Sequence, residues 1–186
     1  QWRAEDGGNG NWYRYNWDQT TGPEGVCWSD ARSRCLAAGG DLVAVSTEAE
    51  SDFLSVAMCP QAAAANGNLG WLGLMPDGDS YMWSNGEPFA WDFWGTGQPS
   101  GDGSYAAFGC EEGGSGHISM SWNDIGGSSG CHTSGEGGLP LAFWITEYST
   151  DCNEDGIVDY GQILDGTLTD ADCNGIPDEC LPVAGS

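Results

Sequence analysis

The sequence predicts an α+β fold, with two helices early in the chain and a run of short strands after them. Three observations carry that expectation. Apolar residues recur at three- and four-residue spacing in two stretches before residue 60. Beyond residue 70 they come instead in short runs separated by Gly-rich turns. The chain has 186 residues, 39% of them hydrophobic, with ten Trp, so it can bury a core of its own.

NWYRYN (11–16) reads as a strand. WSDARSRCLAA (28–38) reads as a helix, because Trp28, Ala31, Cys35 and Ala38 share one face and Gly39-Gly40 stops it. DLVAV (41–45) is a short apolar run. STEAESDFLSVAM (46–58) reads as a second helix, capped by Ser46 or Thr47, with acids in its first turns where the helix dipole favours them. WLGLM (71–75), YMW (81–83), SYAAFGC (104–110), HISMSW (117–122) and LAFWITEY (141–148) are strand candidates, with a long loop between the second and third.

Charge excludes several functions. There are 28 Asp and Glu against four Arg and no Lys, and all four Arg (Arg3, Arg14, Arg32, Arg34) lie in the first 34 residues. Nucleic acid needs cations to displace counterions from phosphate, and an anionic membrane needs the same, so neither is an expected partner. A net charge of -24 repels itself unless something neutralises it, and divalent cations are the natural candidate. No run approaches the ~20 apolar residues of a membrane span. Eight Cys without zinc-type Cys/His spacing predict disulfides and a secreted, extracellular protein, with residue 1 as a mature N-terminus. His117 and His132 are the only His and no nucleophile–base motif accompanies them, so an enzyme is not expected.

The order of motifs in the front region is recognisable. WSDARSRCLAAGGDLVAV is followed by the acidic helix start, WLGL, YMWSNGEPFAWDFWGTGQPS, WND and FWITEY. This resembles the C-type lectin-like domain over roughly residues 10–148, and the resemblance implies a long loop region carrying calcium and sugar. In that family a Glu-Pro-Asn or Gln-Pro-Asp triplet, usually with a cis proline, supplies two side-chain oxygens. A Trp-Asn-Asp triplet supplies more, a Glu two residues before the loop cysteine adds another, and two sugar hydroxyls complete the shell. Here Gln98-Pro99 matches and Ser100 stands in the third place. Asn123 and Asp124 match, and Phe108 occupies the place of the Glu. Asp102, Glu111 or Glu112 would have to compensate. The candidate sugar and calcium residues are therefore Gln98, Ser100, Asp102, Asn123 and Asp124, with Trp91 and Trp94 as candidate stacking platforms for a sugar. Most of the ten Trp are expected in the core.

The last segment differs in style. DCNEDGIVDYGQILDGTLTDADCNGIPDECL (151–181) holds nine acids and no basic residue. A twelve-residue calcium loop needs side-chain oxygens at positions 1, 3, 5 and 9, Gly at 6 and a backbone carbonyl at 7. Asp151, Asn153, Asp155, Gly156, Ile157 and Asp159 satisfy this. So do Asp170, Asp172, Asn174, Gly175, Ile176 and Asp178, nineteen residues on. Gln162 and Leu181 stand at position 12, so Glu179 or water is expected to complete the shell. The tail resembles dockerin-like and EF-hand-like tandem calcium loops that end secreted bacterial proteins. The expected domains are 1–149, a lectin-like domain with an N-terminal arm, and 150–182, the calcium-loop tail. Two calcium ions are expected in the tail, and a third if the lectin-type loop is live.

By the same resemblance Cys110 pairs with Cys131. In the family the Cys35 position pairs with a cysteine in the last strand, but Thr146 holds that place. Cys27 and Cys35 are eight residues apart, ~12 Å on a helix, too far to bridge. Five Cys in the body and three in the tail imply at least one body–tail bridge if all pair within the chain. The pairing expected on that basis is Cys27–Cys59, Cys35–Cys152 and Cys173–Cys180.

These readings predict a secreted, calcium-binding, carbohydrate-binding module acting in glycan recognition or adhesion. Two alternatives stay open. One is a structural, self-assembling extracellular subunit on a lectin-like scaffold, whose N-terminal segment QWRAEDGGNG adds a strand to another copy or another extracellular protein. The other is a dockerin-type docking module.

Overall fold

The computed structural model describes residues 1–18, 25–64, 69–101, 103–112, 118–126, 130–131 and 143–181. Its elements are β1 (Trp12–Trp17), α1 (Trp28–Leu36), β2 (Asp41–Leu42), α2 (Glu48–Ala64), β3 (Leu69–Trp71), β4 (Leu74–Asp77), β5 (Ser80–Trp83), β6 (Tyr105–Glu112), β7 (Ile118–Ile125), β8 (Phe143–Tyr148) and α3 (Asp159–Asp165). The α+β expectation holds, but the WLGLM run is divided between β3 and β4, and α3 lies where no helix was expected. The main sheet runs β1-β8-β3-β6-β7, with β2 also paired to β8, and β4–β5 form a separate hairpin.

Local chemistry explains the start of the longer helix. The Thr47 hydroxyl accepts the Glu50 N–H at 3.2 Å, and the Glu50 carboxylate accepts the Ser46 N–H at 2.9 Å, a reciprocal N-terminal cap. α2 runs six residues past its expected end, through Pro60, with Cys59 bridged to Cys110 of β6. α1 buries Trp28, Ala31 and Cys35, three of the residues whose spacing predicts it. Of the DLVAV run only Asp41–Leu42 is a strand. Val43 continues the contact by donating its N–H to the Ile145 carbonyl at 3.0 Å.

The core has two lobes. Under α2 it gathers Leu54, Met58, Trp83, Phe108, Trp122 and Ile145, and under α1 it gathers Leu42, Trp71, Ala107 and Trp144. Two buried indoles satisfy their N–H groups on backbone: Trp28 on the Leu72 carbonyl at 2.8 Å, Trp71 on the Val26 carbonyl at 2.6 Å.

The N-terminal arm is not extended. It closes on itself through Trp2 N–H to the Asn11 carbonyl (2.9 Å) and Gly10 N–H to the Trp2 carbonyl (2.8 Å). Trp2 then stacks on Phe53 of α2, with centroids 5.6 Å apart. An apolar ring next to a short polar loop buries more surface by folding back than by projecting into water.

The disulfides correct the sequence expectation. Cys110 does not pair with Cys131: Cys27 pairs with Cys131, Cys59 with Cys110 and Cys152 with Cys180. Cys35 and Cys173 are unpaired thiols, so the parity argument fails and no bridge joins body to tail. Cys35 Sγ lies 3.1 Å from Thr146 Oγ1, and Cys152, its expected partner, is bridged to Cys180 instead. Burial pushes that thiol up to about 12, so it is inert as a nucleophile.

Packing joins the tail to the body instead. Tyr160 of α3 stacks on Tyr148 of β8, and Trp12 of β1 meets Tyr160 edge-on at 6.1 Å. The second tail loop abuts the end of α1. A Cβ added to Gly175 would lie 2.0 Å from the Ala38 carbonyl oxygen.

Candidate functional site

The lectin-type loop is built outward from β7. Residues 93–95 lie alongside that strand. Trp122 donates its N–H to the Phe93 carbonyl and Gly95 donates to the Trp122 carbonyl, both at 2.8 Å. A turn closed by Gln98 N–H to the Gly95 carbonyl (2.9 Å) leads into a cis Gln98–Pro99 bond, the isomer the resemblance implies.

Asp124 organises the loop beyond Pro99. It is fully buried. Its Oδ1 accepts the Ser100 N–H at 2.7 Å and lies 3.3 Å from the Ser100 hydroxyl. Its Oδ2 accepts the N–H groups of Gly101 (2.8 Å) and Gly103 (3.3 Å). One carboxylate therefore gathers three backbone N–H groups of the loop, the kind of charge-assisted bonding that fixes its shape. Gln98 Oε1 accepts the Ser100 N–H at 2.9 Å. Asn123 Oδ1 is buried with no hydrogen-bond partner.

Among the described residues, Gln98, Ser100, Asn123 and Asp124 are the members of the candidate set that carry side-chain oxygens. Phe108 is fully buried in the core and offers no oxygen, and both Asp124 oxygens accept loop N–H groups. Asn123 alone presents an unengaged buried oxygen among the described members of the set. Asp102 lies outside the described residues, as do the side chains of Glu111 and Glu112.

Trp91 and Trp94 are half-buried and both meet Trp122 edge-on, at 5.5 and 5.8 Å, so much of each ring belongs to the core. Phe93, stacked on Trp91 at 5.9 Å and 40% exposed, is the ring that faces solvent. Sequence reasoning did not find it. Its only signal was position, between two Trp in the loop.

The tail loops repeat one geometry nineteen residues apart. In the first, Asp151 accepts the N–H groups of Asp155 (3.1 Å) and Gly156 (2.8 Å). In the second, Asp170 accepts those of Asn174 (3.0 Å) and Gly175 (2.9 Å). Asp155 takes the Ile157 N–H and Asn174 the Ile176 N–H, each at 2.8 Å. Asp159 caps Cys152 N–H and Asp178 caps Ala171 N–H. Gly156 and Gly175 sit at φ 84° and 81°, the left-handed turn the sixth position requires. Asn153 and Asp172 hold the third positions, each accepting a backbone N–H from the fifth.

Gln162 departs from expectation. It is buried at position 12 and donates its Nε2–H to Asp155 Oδ2 at 2.7 Å, which helps hold the Asp155 carboxyl below its usual range. Burial raises the Asp159 carboxyl, partly offset by the Cys152 N–H. Cys152, Asp159 and Cys180 also cluster, but both sulfurs are committed to a disulfide and cannot ligate a metal.

Comparison with known proteins places the geometry. A sequence profile described as Lectin C-type domain matches residues 24–133. Among curated proteins, the secretory phospholipase A2 receptor of Oryctolagus cuniculus is 36% identical over 67 residues, 36% of this chain, and the chain spans only 4% of that receptor's length. Human lithostathine superposes with a TM-score of 0.56 at 20% identity, covering 76% of this chain and 85% of that one. A complex of SPL-1 with GlcNAc gives 0.54 at 23% identity, covering 77% and 94%. Herring type II antifreeze protein gives 0.51 at 18% identity, also covering 77% and 94%.

Proposed function

The chain belongs to the lectin C-type domain family, and from that premise we propose that it is a secreted, calcium-binding module that recognises extracellular glycans in adhesion. The observation that carries the reading is Asp124. Its carboxylate accepts the backbone N–H groups of Ser100, Gly101 and Gly103 and so holds that loop in shape, and Phe93, earlier in the same loop region, is exposed. In this reading a sugar would use the exposed Phe93 ring for stacking and the polar groups of the Gln98 turn for hydrogen bonds. SPL-1, which shares the fold, is described in complex with GlcNAc.

Calcium belongs to the tail in this reading. Asp151, Asn153, Asp155, Asp159 and the Ile157 carbonyl form one ligand set; Asp170, Asp172, Asn174, Asp178 and the Ile176 carbonyl form the other. The repeated backbone capture by the first-position Asp supports it, since it gives both loops the same glycine turn that the calcium-loop pattern requires. Three disulfides among the described residues support an oxidising, extracellular setting.

The structural alternative loses one route, because the N-terminal arm already packs on α2. The docking alternative loses another, because α3 packs its Tyr160 against the body. The fold itself does not choose, since an antifreeze protein shares it. A glycan array with calcium and with chelator tests the reading. Retention of defined glycans, reduced by Phe93→Ala, is expected. No binding to any sugar on a broad array, with calcium present, would sink it.

A further inference from the structure

The two tail loops match bond for bond, yet they differ at two positions. In the first, Asp159 and Gln162 are only 2% and 5% exposed, and Asp159 Oδ1 and Gln162 Oε1 have no hydrogen-bond partner. The other atoms of the same groups place both in the loop, since Asp159 Oδ2 holds Cys152 N–H and Gln162 Nε2 holds Asp155. In the second loop Asp178 is exposed, and position 12 is Leu181, which has no side-chain oxygen. Two buried oxygens without donors are costly in a protein, and a hard cation is the kind of partner that such oxygens take.

We propose that the first tail loop is the dominant hard-cation site of this chain, with Gln162 as its twelfth-position oxygen, and that the second loop binds ~10-fold or more weakly. The proposal rests on the reading of the tail as calcium-binding. It adds a ligand and a rank order that the repeat pattern alone does not contain. The position has a consequence. Tyr160 and Gly161 lie between the ligands Asp159 and Gln162, and they are the residues that pack on Tyr148 and Trp12. Filling the first loop therefore stiffens the segment that fastens tail to body, while the second loop is held by its contact with Ala38 and Gly39 and by the Cys152–Cys180 bridge.

Calcium titration of the full chain by calorimetry, with wild type, Gln162→Glu, Gln162→Leu and Asn174→Ala, tests this. A strong phase that Gln162→Glu tightens, Gln162→Leu weakens ~10-fold or more and Asn174→Ala leaves in place is the expected result. Tightening by Gln162→Glu cannot come from misfolding, so it separates a ligand from a structural residue. Two phases of equal affinity, a strong phase lost in Asn174→Ala, or no response to Gln162→Glu would overturn the rank order while leaving a cation-binding tail. Calcium binding unchanged in all three variants would overturn the tail reading as well.

Discussion

Tyr160 lies face to face on Tyr148, ring centroids 3.7 Å apart and planes 8° from parallel. One ring belongs to the tail helix and the other to the last strand of the lectin-type sheet. No covalent cross-link joins tail to body among the described residues, so this pair, with Trp12 at its edge, carries much of the attachment.

Tyr160→Ala removes that stack and the apolar area around it, a loss of about 2 kcal/mol. The thermal midpoint should fall by about 4–8 °C for a chain of this size. Limited proteolysis should cut the variant between 149 and 159 where wild type resists. A variant with unchanged midpoint and protease pattern would show that the tail is held elsewhere.

Gly156 and Gly175 occupy equivalent loop positions, yet alanine should affect them unequally. Both have positive φ, which costs about 1–2 kcal/mol for a residue with a Cβ. Nothing lies within 4 Å of a Cβ at 156, whereas at 175 it would overlap the Ala38 carbonyl. Gly156→Ala should therefore lower stability by only that strain, and Gly175→Ala should also loosen the second loop from α1. Hydrogen exchange at residues 170–178, compared between the two variants, reads the difference.

Asp124→Ala takes their acceptor from the Gly101 and Gly103 N–H groups and leaves Ser100 N–H with Gln98 Oε1, at about 1–3 kcal/mol for each stranded group that water does not reach. Amide exchange at Ser100, Gly101 and Gly103 should accelerate, and glycan retention should fall with it. Fast exchange without loss of retention would separate loop shape from recognition.

Glu147 is buried, and that desolvation pushes its carboxyl up to about 8, with Glu50 and Glu87 adding repulsion against the help of Ala44 N–H and Asn11. Burial raises Glu50 as well, though bonds from Tyr13, Ser46 and Asn9 oppose it. A raised folded-state value means protons bind the folded chain more tightly. Stability from Glu147 is complete below its ordinary value of 4.5 and is lost as pH climbs through about 8. Urea denaturation in chelator should show a decline across that window, and Glu147→Gln should flatten it.

Much of the architecture was legible before any coordinates. α1 was readable because Trp28, Ala31 and Cys35 fall on one helical face, and the left-handed turns of the tail because glycines stand at 156 and 175. Disulfide partners were not legible. Cys27 and Cys131 are 104 residues apart, and nothing local in either sequence neighbourhood names the other. The role of Asp124 was half legible. Its place after Trp122 and Asn123 marked it as an oxygen donor, but only the folded loop shows three N–H groups claiming those oxygens.

The sequence by itself determined whatever depends on neighbours along the chain: helix faces, caps, turn glycines, the oxygen spacing of the tail and the acidity. Only the tertiary structure decided the features that need groups distant in sequence to meet in space. It replaced the expected Cys110–Cys131 bridge, laid the arm on Phe53, left Cys35 a thiol against Thr146, and buried Gln162 where its oxygen has no partner. The physical reason is that burial and long-range packing set which polar atoms are satisfied, and that accounting closes only when the whole chain is folded.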